Sequence, residues 1–305
     1  MFSIVIPLYN KEQSIVFTLQ SIFKQTFHEF EVIIIDDGST DESVNKVRKV
    51  FDNRIKICQK ANGGVCSARN RGIEEAKFKY IAFLDGDDYW DPDYLSEQKK
   101  MIEDFPHAAM WGINFAPVIN GKISPLETKL PEDFRGIVEN YFSINRHSDL
   151  FCSSSVVIRK EAFEVAGIFD TRIKYSEDLD MWYRLILNFP VVFYDKIMVY
   201  YQHDAENRAM KKSHQLKYFL PYYVDKYTKY KDKNPVFYRF INRWSAVYIR
   251  HYYFNVKSER EDAMIAALKL DYPVLPVIYR CLFKPPYFIG RIAYMISSIK
   301  KNLMK

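Results

Sequence analysis

Along the first third of the chain, short apolar runs alternate with stretches whose apolar positions recur at helical spacing. Ser3–Pro7 is an apolar run closed by proline and predicts a buried strand. Ile15, Leu19, Ile22 and Phe23 follow on one helical face. Phe30–Ile35 is rich in β-branched residues and ends in Asp36-Asp37-Gly38-Ser39. Thr40 or Asp41 is placed to cap a helix through Val47 and Val50. Arg54–Cys58 predicts a third strand, Val65–Ala76 a helix and Tyr80–Leu84 a fourth strand. Such alternation means βαβ units. The expected class is α/β, with a mostly parallel central sheet and helices on both faces.

The middle of the chain is less regular. Ala108–Ile119 predicts a strand, and residues 120–150 read as a long loop with one short helix. Ser155–Ile158 predicts a strand. Glu177–Leu187 predicts a helix with Leu179, Trp182, Tyr183 and Ile186 on one face. Val191–Tyr194 and Ile197–His203 read as a late β-hairpin. From Ser213 onward the pattern is helical and aromatic-rich. The boundary is placed between a catalytic domain over 1–210 and a helical region over 211–305 with a basic amphipathic tail. The aromatics of residues 213–256 predict helix cores. A stacking surface for nucleic acid or a platform for an acceptor sugar would use the same residue types.

Composition narrows the classes. The 305 residues are 48% apolar and 27% charged, which excludes a disordered or collagen-like chain. Four cysteines, Cys58, Cys66, Cys152 and Cys281, have no Cys-x-x-Cys spacing. A structural zinc site is not expected, and reduced buried thiols in a cytoplasmic protein are. The first residues carry no basic segment ahead of a long apolar one, so no signal peptide is expected. No apolar run is long enough for a transmembrane helix.

The net charge is +6, and its placement matters more than its size. After Asp271 come Arg280, Lys284, Arg291, Lys300, Lys301 and Lys305 with no acidic residue between them. The rest of the chain is near neutral, which argues against a nucleic-acid partner. The stretch 273–305 mixes apolar and basic residues. It fits either an anionic membrane surface or docking on the catalytic domain.

In an open parallel sheet, ligands bind beyond the carboxyl ends of the strands. Those ends here are Pro7-Leu8-Tyr9-Asn10, Asp36-Asp37 and Asp85-Gly86-Asp87-Asp88. An aromatic ring stacks on a base, and a carboxylate accepts from a base N–H or a ribose hydroxyl. Three carboxylates within four residues repel unless a cation relieves them, and oxygen ligands suit Mg²⁺ or Mn²⁺ completed by diphosphate oxygens. Each acidic motif is also an ordinary turn, and Ser176-Glu177-Asp178 an ordinary first helical turn.

Taken in order, five motifs resemble glycosyltransferase family 2, with the GT-A fold. They are Ser3-Ile4-Val5-Ile6-Pro7-Leu8-Tyr9-Asn10, Asp36-Asp37-Gly38-Ser39-Thr40-Asp41, and Asn62-Gly63-Gly64 with Ala68-Arg69-Asn70-Arg71-Gly72. Then follow Phe83-Leu84-Asp85-Gly86-Asp87-Asp88 and Glu177-Asp178-Leu179-Asp180-Met181-Trp182. The likeness covers about residues 1–205. It implies a nucleotide-sugar donor, UDP-linked, a glycan or lipid-linked glycan acceptor, and an inverting transfer assisted by Mn²⁺ or Mg²⁺. It implies a role in bacterial surface polysaccharide synthesis, in the cytoplasm or on the inner face of the membrane.

By that resemblance, Pro7 and Tyr9 line the base pocket, Asp37 bonds the uracil edge and Asp85 meets the ribose. Asp87 ligates the metal, with His203 as a further ligand, and Asp178 is the catalytic base. Glu177, Asp88 and Arg69 contact the acceptor or diphosphate, or support these groups from behind. A sugar-nucleotide pyrophosphorylase would need a glycine-rich basic loop where Leu8-Tyr9-Asn10-Lys11 stands. The alternative of a relative that only binds nucleotide sugar would be favoured by loss of Asp87 or Asp178, and both are present.

Overall fold

The computed structural model describes residues 1–144, 150–206 and 215–283. The chain falls into two compact units, Met1–Ser213 and His214–Lys305.

The first unit is built on one mixed sheet. Its parallel block comprises β1 (Phe2–Leu8), β2 (Phe30–Asp36), β3 (Ile55–Gln59) and β4 (Tyr80–Phe83), in the order β3-β2-β1-β4. Connecting them are α1 (Ile15–Phe23), α2 (Ser43–Arg48) and α3 (Val65–Glu75). After β4 come β5 (Tyr89–Trp90), α4 (Tyr94–Asp104), β6 (Met110–Ile119), β7 (Lys122–Ile123), β8 (Arg135–Ile137) and α5 (Tyr141–Ile144). Then follow β9 (Val156–Arg159), α6 (Ala162–Ala166), α7 (Glu177–Ile186) and β10 (Val191–Gln202). The sheet continues β4-β9-β6-β10-β5, with β9 antiparallel to both its neighbours and β10 parallel to β6.

Alternation along the strands decides which helix lies on which face. Phe2, Ile4, Ile6 and Leu8 of β1 join a core with Ile15, Leu19 and Ile22 of α1, Val44 and Val47 of α2, and Met101 and Ile102 of α4. Val5 points the other way, onto α3. The approach there is so close that a Cβ at Gly72 would stand 2.1 Å from Val5 Cγ1. Phe83, paired with Val5, shares that face and meets Phe169 edge-on.

Three local expectations differ from the structure. The late hairpin is instead the single strand β10, running alongside β6 with a register shift between Tyr194 and Val199. At the shift Asp195 turns inward. Its carboxylate accepts from Asn114 Nδ2 at 2.6 Å and Thr128 Oγ1 at 2.7 Å, so a polar break that reads as a turn is a bulge. Helix α2 begins at Ser43 with no side-chain cap and ends before Val50. Asp41 instead accepts from the backbone N–H of Ser43 and of Glu12, which joins two loops. Residues 120–150 contain β7 and β8 besides the expected short helix.

The second unit holds helical turns over Leu220–Tyr230, then α8 (Pro235–Asn255), α9 (Arg260–Leu268) and α10 (Val277–Phe283). Asn234 caps α8 by accepting from Phe237 N, with Pro235 at the first position. Tyr227, Phe237, Tyr238 and Tyr252 are buried, so these aromatics form core as expected. Among the described residues no helix is long and apolar enough to cross a membrane. Most of the basic tail, 284–305, lies outside the described residues.

Candidate active site

Parallel strands end on one edge, and here the polar end of β1 meets the acidic ends of β2 and β4. Leu8 pairs with Asp36 across β1 and β2, and Asp37 N donates to the Leu8 carbonyl at 2.8 Å. Leu84 N donates to the Val5 carbonyl at 3.1 Å, which brings Asp85 alongside. Beyond this edge lies a cavity of about 630 Å³. Pro7, Tyr9, Lys11, Asp37, Arg69, Asp85, Asp87, Glu177, Asp178 and Tyr201 are among its lining residues. The four aspartates singled out in the sequence from three separate places, Asp37, Asp85, Asp87 and Asp178, therefore face one space.

The turn after β1 is held in shape by its neighbour. Asn10 is in the left-handed region at φ 51°. Its side-chain oxygen accepts from Thr40 N at 2.8 Å, and its own N–H donates to Ser39 Oγ at 3.1 Å. Asp37 is buried and accepts three hydrogen bonds: from Lys60 Nζ at 2.6 Å, Gly63 N at 2.9 Å and Gly64 N at 2.8 Å. It thereby fixes the Asn62-Gly63-Gly64 loop at the start of α3.

Helix α3 serves the site with consecutive residues. Arg69 is 3% exposed and donates to Asp85 Oδ1 and Glu177 Oε1, each at 2.9 Å. Asn70 pairs with the Phe169 backbone through both its amide groups, and Cys66 Sγ reaches the Ile173 carbonyl. These bonds pin the segment that leads into α7. Gly72 lets the helix lie on β1.

That segment delivers the acidic first turn of α7. Ser176 stands before it in the left-handed region at φ 55°, a conformation uncommon for a side chain other than glycine, asparagine or aspartate. Burial pushes the Glu177 carboxyl up to about 7, helped by the neighbouring Asp178 charge and opposed by Arg69. Burial also raises Asp178 above the usual carboxylate range, with Arg69 and the Leu179 N–H pulling the other way. A raised carboxylate is a better proton acceptor, so α7 presents a basic oxygen to the cavity.

The Asp85–Asp88 turn divides its carboxylates. Asp87 Oδ2 lies 2.5 Å from Lys11 Nζ. Asp88 faces away and is fully buried, within hydrogen-bond distance of Ser154 Oγ and accepting from Gln202 N at 3.0 Å. Burial, with the charges of Asp87 and Asp85, drives its carboxyl well above the usual range. Asp88 thus supports the turn from behind and is not among the residues that line the cavity.

The structure does not bring His203 to the cavity wall. Its backbone N–H pairs with Val118 O, and its ring packs edge-on against Tyr201, which lines the cavity itself. Among the described residues, no three histidine, cysteine or acidic side chains form a metal cluster. A site completed by diphosphate oxygens needs only one or two carboxylates. Asp85 and Asp87, hard oxygen donors on the cavity wall, fit that chemistry. Sequence reasoning assigns no role to Lys11, Lys60, Ser154 or Glu206. Lys11, one residue past the motif after β1, is the one with a positional signal.

The family profile described as "Glycosyl transferase family 2" matches residues 3–167, more than half of the chain. The chain belongs to glycosyltransferase family 2. Over 193 residues it is 32% identical to the Escherichia coli "UDP-Glc:alpha-D-GlcNAc-diphosphoundecaprenol beta-1,3-glucosyltransferase WfaP", covering 61% of this chain and 70% of that one. The share of other curated relatives that it spans varies, 35% of one from Rickettsia felis and 73% of one from Rickettsia typhi. The crystal structure of S. aureus TarS 1-349 in complex with UDP-GlcNAc matches at TM-score 0.66 and 22% identity, over 90% of this chain and 82% of that one. GalNAc-T7 with UDP, GalNAc and Mn²⁺ matches at TM-score 0.59 and 16% identity, over 86% and 54%. These likenesses establish the GT-A-like fold and a glycosyltransferase. The central sheet is mixed, parallel in its first four strands.

Proposed function

We propose that this glycosyltransferase moves a sugar from a UDP-linked donor to a hydroxyl of a glycan or lipid-linked glycan, with inversion, in bacterial surface polysaccharide synthesis. The observation that carries the reading is the single cavity lined by Asp37, Asp85, Asp87 and Asp178. The name of WfaP, with its UDP-Glc donor and diphosphoundecaprenol-linked acceptor, supports the choice of substrates. The UDP-GlcNAc bound in the TarS complex supports a UDP-sugar.

Pro7 and Tyr9 form the base end of the pocket. Asp37, with three of about four acceptor positions already used, keeps about one for the uracil edge. Asp85 takes the ribose side. Asp87 would hold a divalent cation, which when bound would supply a Lewis acid to the departing diphosphate. Asp178 takes the proton of the acceptor hydroxyl as that oxygen bonds to the anomeric carbon. The bond from that carbon to the diphosphate breaks on the opposite face, and its electron pair leaves with UDP. Arg69 keeps Asp85 and the acidic turn of α7 in register while charge moves.

The test is a panel of UDP-, GDP- and dTDP-sugars with Mn²⁺ or Mg²⁺ and a diphosphoundecaprenol-linked sugar, following nucleotide release. Turnover of a UDP-sugar is expected. Turnover confined to another nucleotide class, or none with any, overturns the reading. Membrane contact in this proposal rests on residues 273–305 and anionic lipid. Equal sedimentation of wild type and a Lys300→Glu/Lys301→Glu variant with anionic vesicles counts against it.

A further inference from the structure

Among the described residues, Lys11 is the cation paired with the carboxylate that the preceding reading gives to the metal. Its ammonium lies 2.5 Å from Asp87 Oδ2 and donates to the Glu206 carbonyl at 2.7 Å. Three segments far apart in sequence meet here: the turn after β1, the turn after β4 and the stretch after β10. Lys11 and Asp87 side chains are each 12% exposed, so solvent screens the pair little. The bridge is supported on both sides. A Cβ at Gly86 would stand 3.6 Å from Lys11 Cγ, so the lysine stem runs along that glycine. Glu206 Oε1 accepts from Gln13 N at 3.0 Å and Ser14 N at 3.2 Å, which ties the stretch after β10 to the start of α1.

We propose that Lys11 is an internal counter-ion that closes Asp87 to a free divalent cation until the nucleoside diphosphate arrives. The inference rests on Asp87 being the metal ligand. A cation entering alone has to displace the ammonium and then sits beside it, because the Glu206 carbonyl keeps the lysine close. A diphosphate brings the negative charge that both cations need. Metal and nucleotide therefore enter together, and departure of UDP returns Asp87 to Lys11. An acceptor that reaches the cavity first meets a site without the Lewis acid, which protects against binding in the wrong order.

The test measures Mn²⁺ binding to the full chain by loss of the free-ion electron paramagnetic resonance signal, with and without UDP. Wild type is expected to bind Mn²⁺ weakly alone and tightly with UDP. Lys11→Met is expected to bind Mn²⁺ alone about tenfold tighter, with a smaller gain from UDP. Lys11→Arg keeps the charge and should behave as wild type. Adding Asp87→Asn to Lys11→Met should cancel the gain. Lys11→Gln, which keeps a donor for the Glu206 carbonyl, replaces Lys11→Met if the latter fails to fold. Mn²⁺ affinity in the folded neutral variants no higher than in wild type, with UDP still tightening it, overturns the counter-ion role alone. Failure of wild type to hold Mn²⁺ even with UDP removes Asp87 as a metal ligand, and this inference with it.

Discussion

Arg69 donates to Asp85 from the middle of α3, and its other terminal nitrogen donates to Glu177 at the same 2.9 Å. One buried guanidinium thus ties the end of β4 to the first turn of α7, across the cavity where the donor and the acceptor must meet. Removing it leaves Asp85, Glu177 and Asp178 without their shared cation. Arg69→Met is expected to destabilise the fold by about 3–5 kcal/mol, the cost of stranding a buried charge. Arg69→Lys keeps the charge but not the fork, and holds one carboxylate at a time. It is expected to fold, with a Tm between those of wild type and Arg69→Met and with most turnover lost. Thermal melts and a transfer assay read both; a wild-type Tm for Arg69→Met contradicts the bridging role.

The carboxyl of Glu177 titrates near 7 against an ordinary value of 4.5, chiefly because it is buried. Its folded value lies above its unfolded one, so its stabilising contribution is complete below about pH 4.5 and falls as pH rises through about 7. Above that, the Glu177 anion costs stability. Glu177→Gln is expected to raise Tm at pH 8 and change it little at pH 5. Because Glu177 keeps its proton below about pH 7, the substitution leaves Asp178 beside a neutral group as before, and the acid limb of the pH–rate profile is expected to stay in place. Equal Tm changes at pH 5 and pH 8 contradict the raised Glu177 carboxyl.

The parallel half of the sheet is legible in the sequence because β1, β2 and β4 are largely buried and read as near-continuous apolar runs. The acidic ends of β2 and β4 are legible for the same reason, since an abrupt change from Ile or Leu to Asp marks the edge. Helix α4 is not among the expected elements, although Tyr94, Leu95, Met101 and Ile102 lie on one buried face at helical spacing. The misreading of β10 has a physical cause: Asp195 looks like a turn residue until Asn114 and Thr128 are beside it. Ser154 and Glu206 carry no local sign. Their partners lie 66 and 192 residues away, and only the folded sheet brings them together.

Asp178 and Asp87 line the same cavity but have different duties in the proposed transfer. Asp178→Asn keeps the shape of the side chain and cannot accept the proton. Turnover is expected to fall by about 10²–10⁴-fold, with UDP-sugar binding retained. Asp87→Ala should lose both turnover and the enhancement of nucleotide binding by Mn²⁺. Calorimetric titration with UDP, with and without Mn²⁺, separates the two. Near-normal turnover in either variant shows that its role is misassigned.

Asp88 is fully buried, and its partners already span the turn: Ser154 Oγ on one oxygen, the Gln202 N–H on the other. Ser154 Oγ also accepts from Asp85 N at 3.1 Å, so Asp88 holds the backbone of the very turn that carries Asp85 and Asp87. Burial and two neighbouring carboxylates favour its neutral form. An amide mimics that form, because its oxygen accepts from Gln202 and its NH₂ donates to Ser154. Asp88→Asn is expected to cost less than about 1 kcal/mol and to keep most activity, whereas Asp88→Ala leaves two buried groups unpaired and costs about 2–3 kcal/mol. Denaturant unfolding at pH 7 reads the difference. Equal losses for the two variants would mean that the negative charge on Asp88, and not its hydrogen-bonding shape, organises the turn.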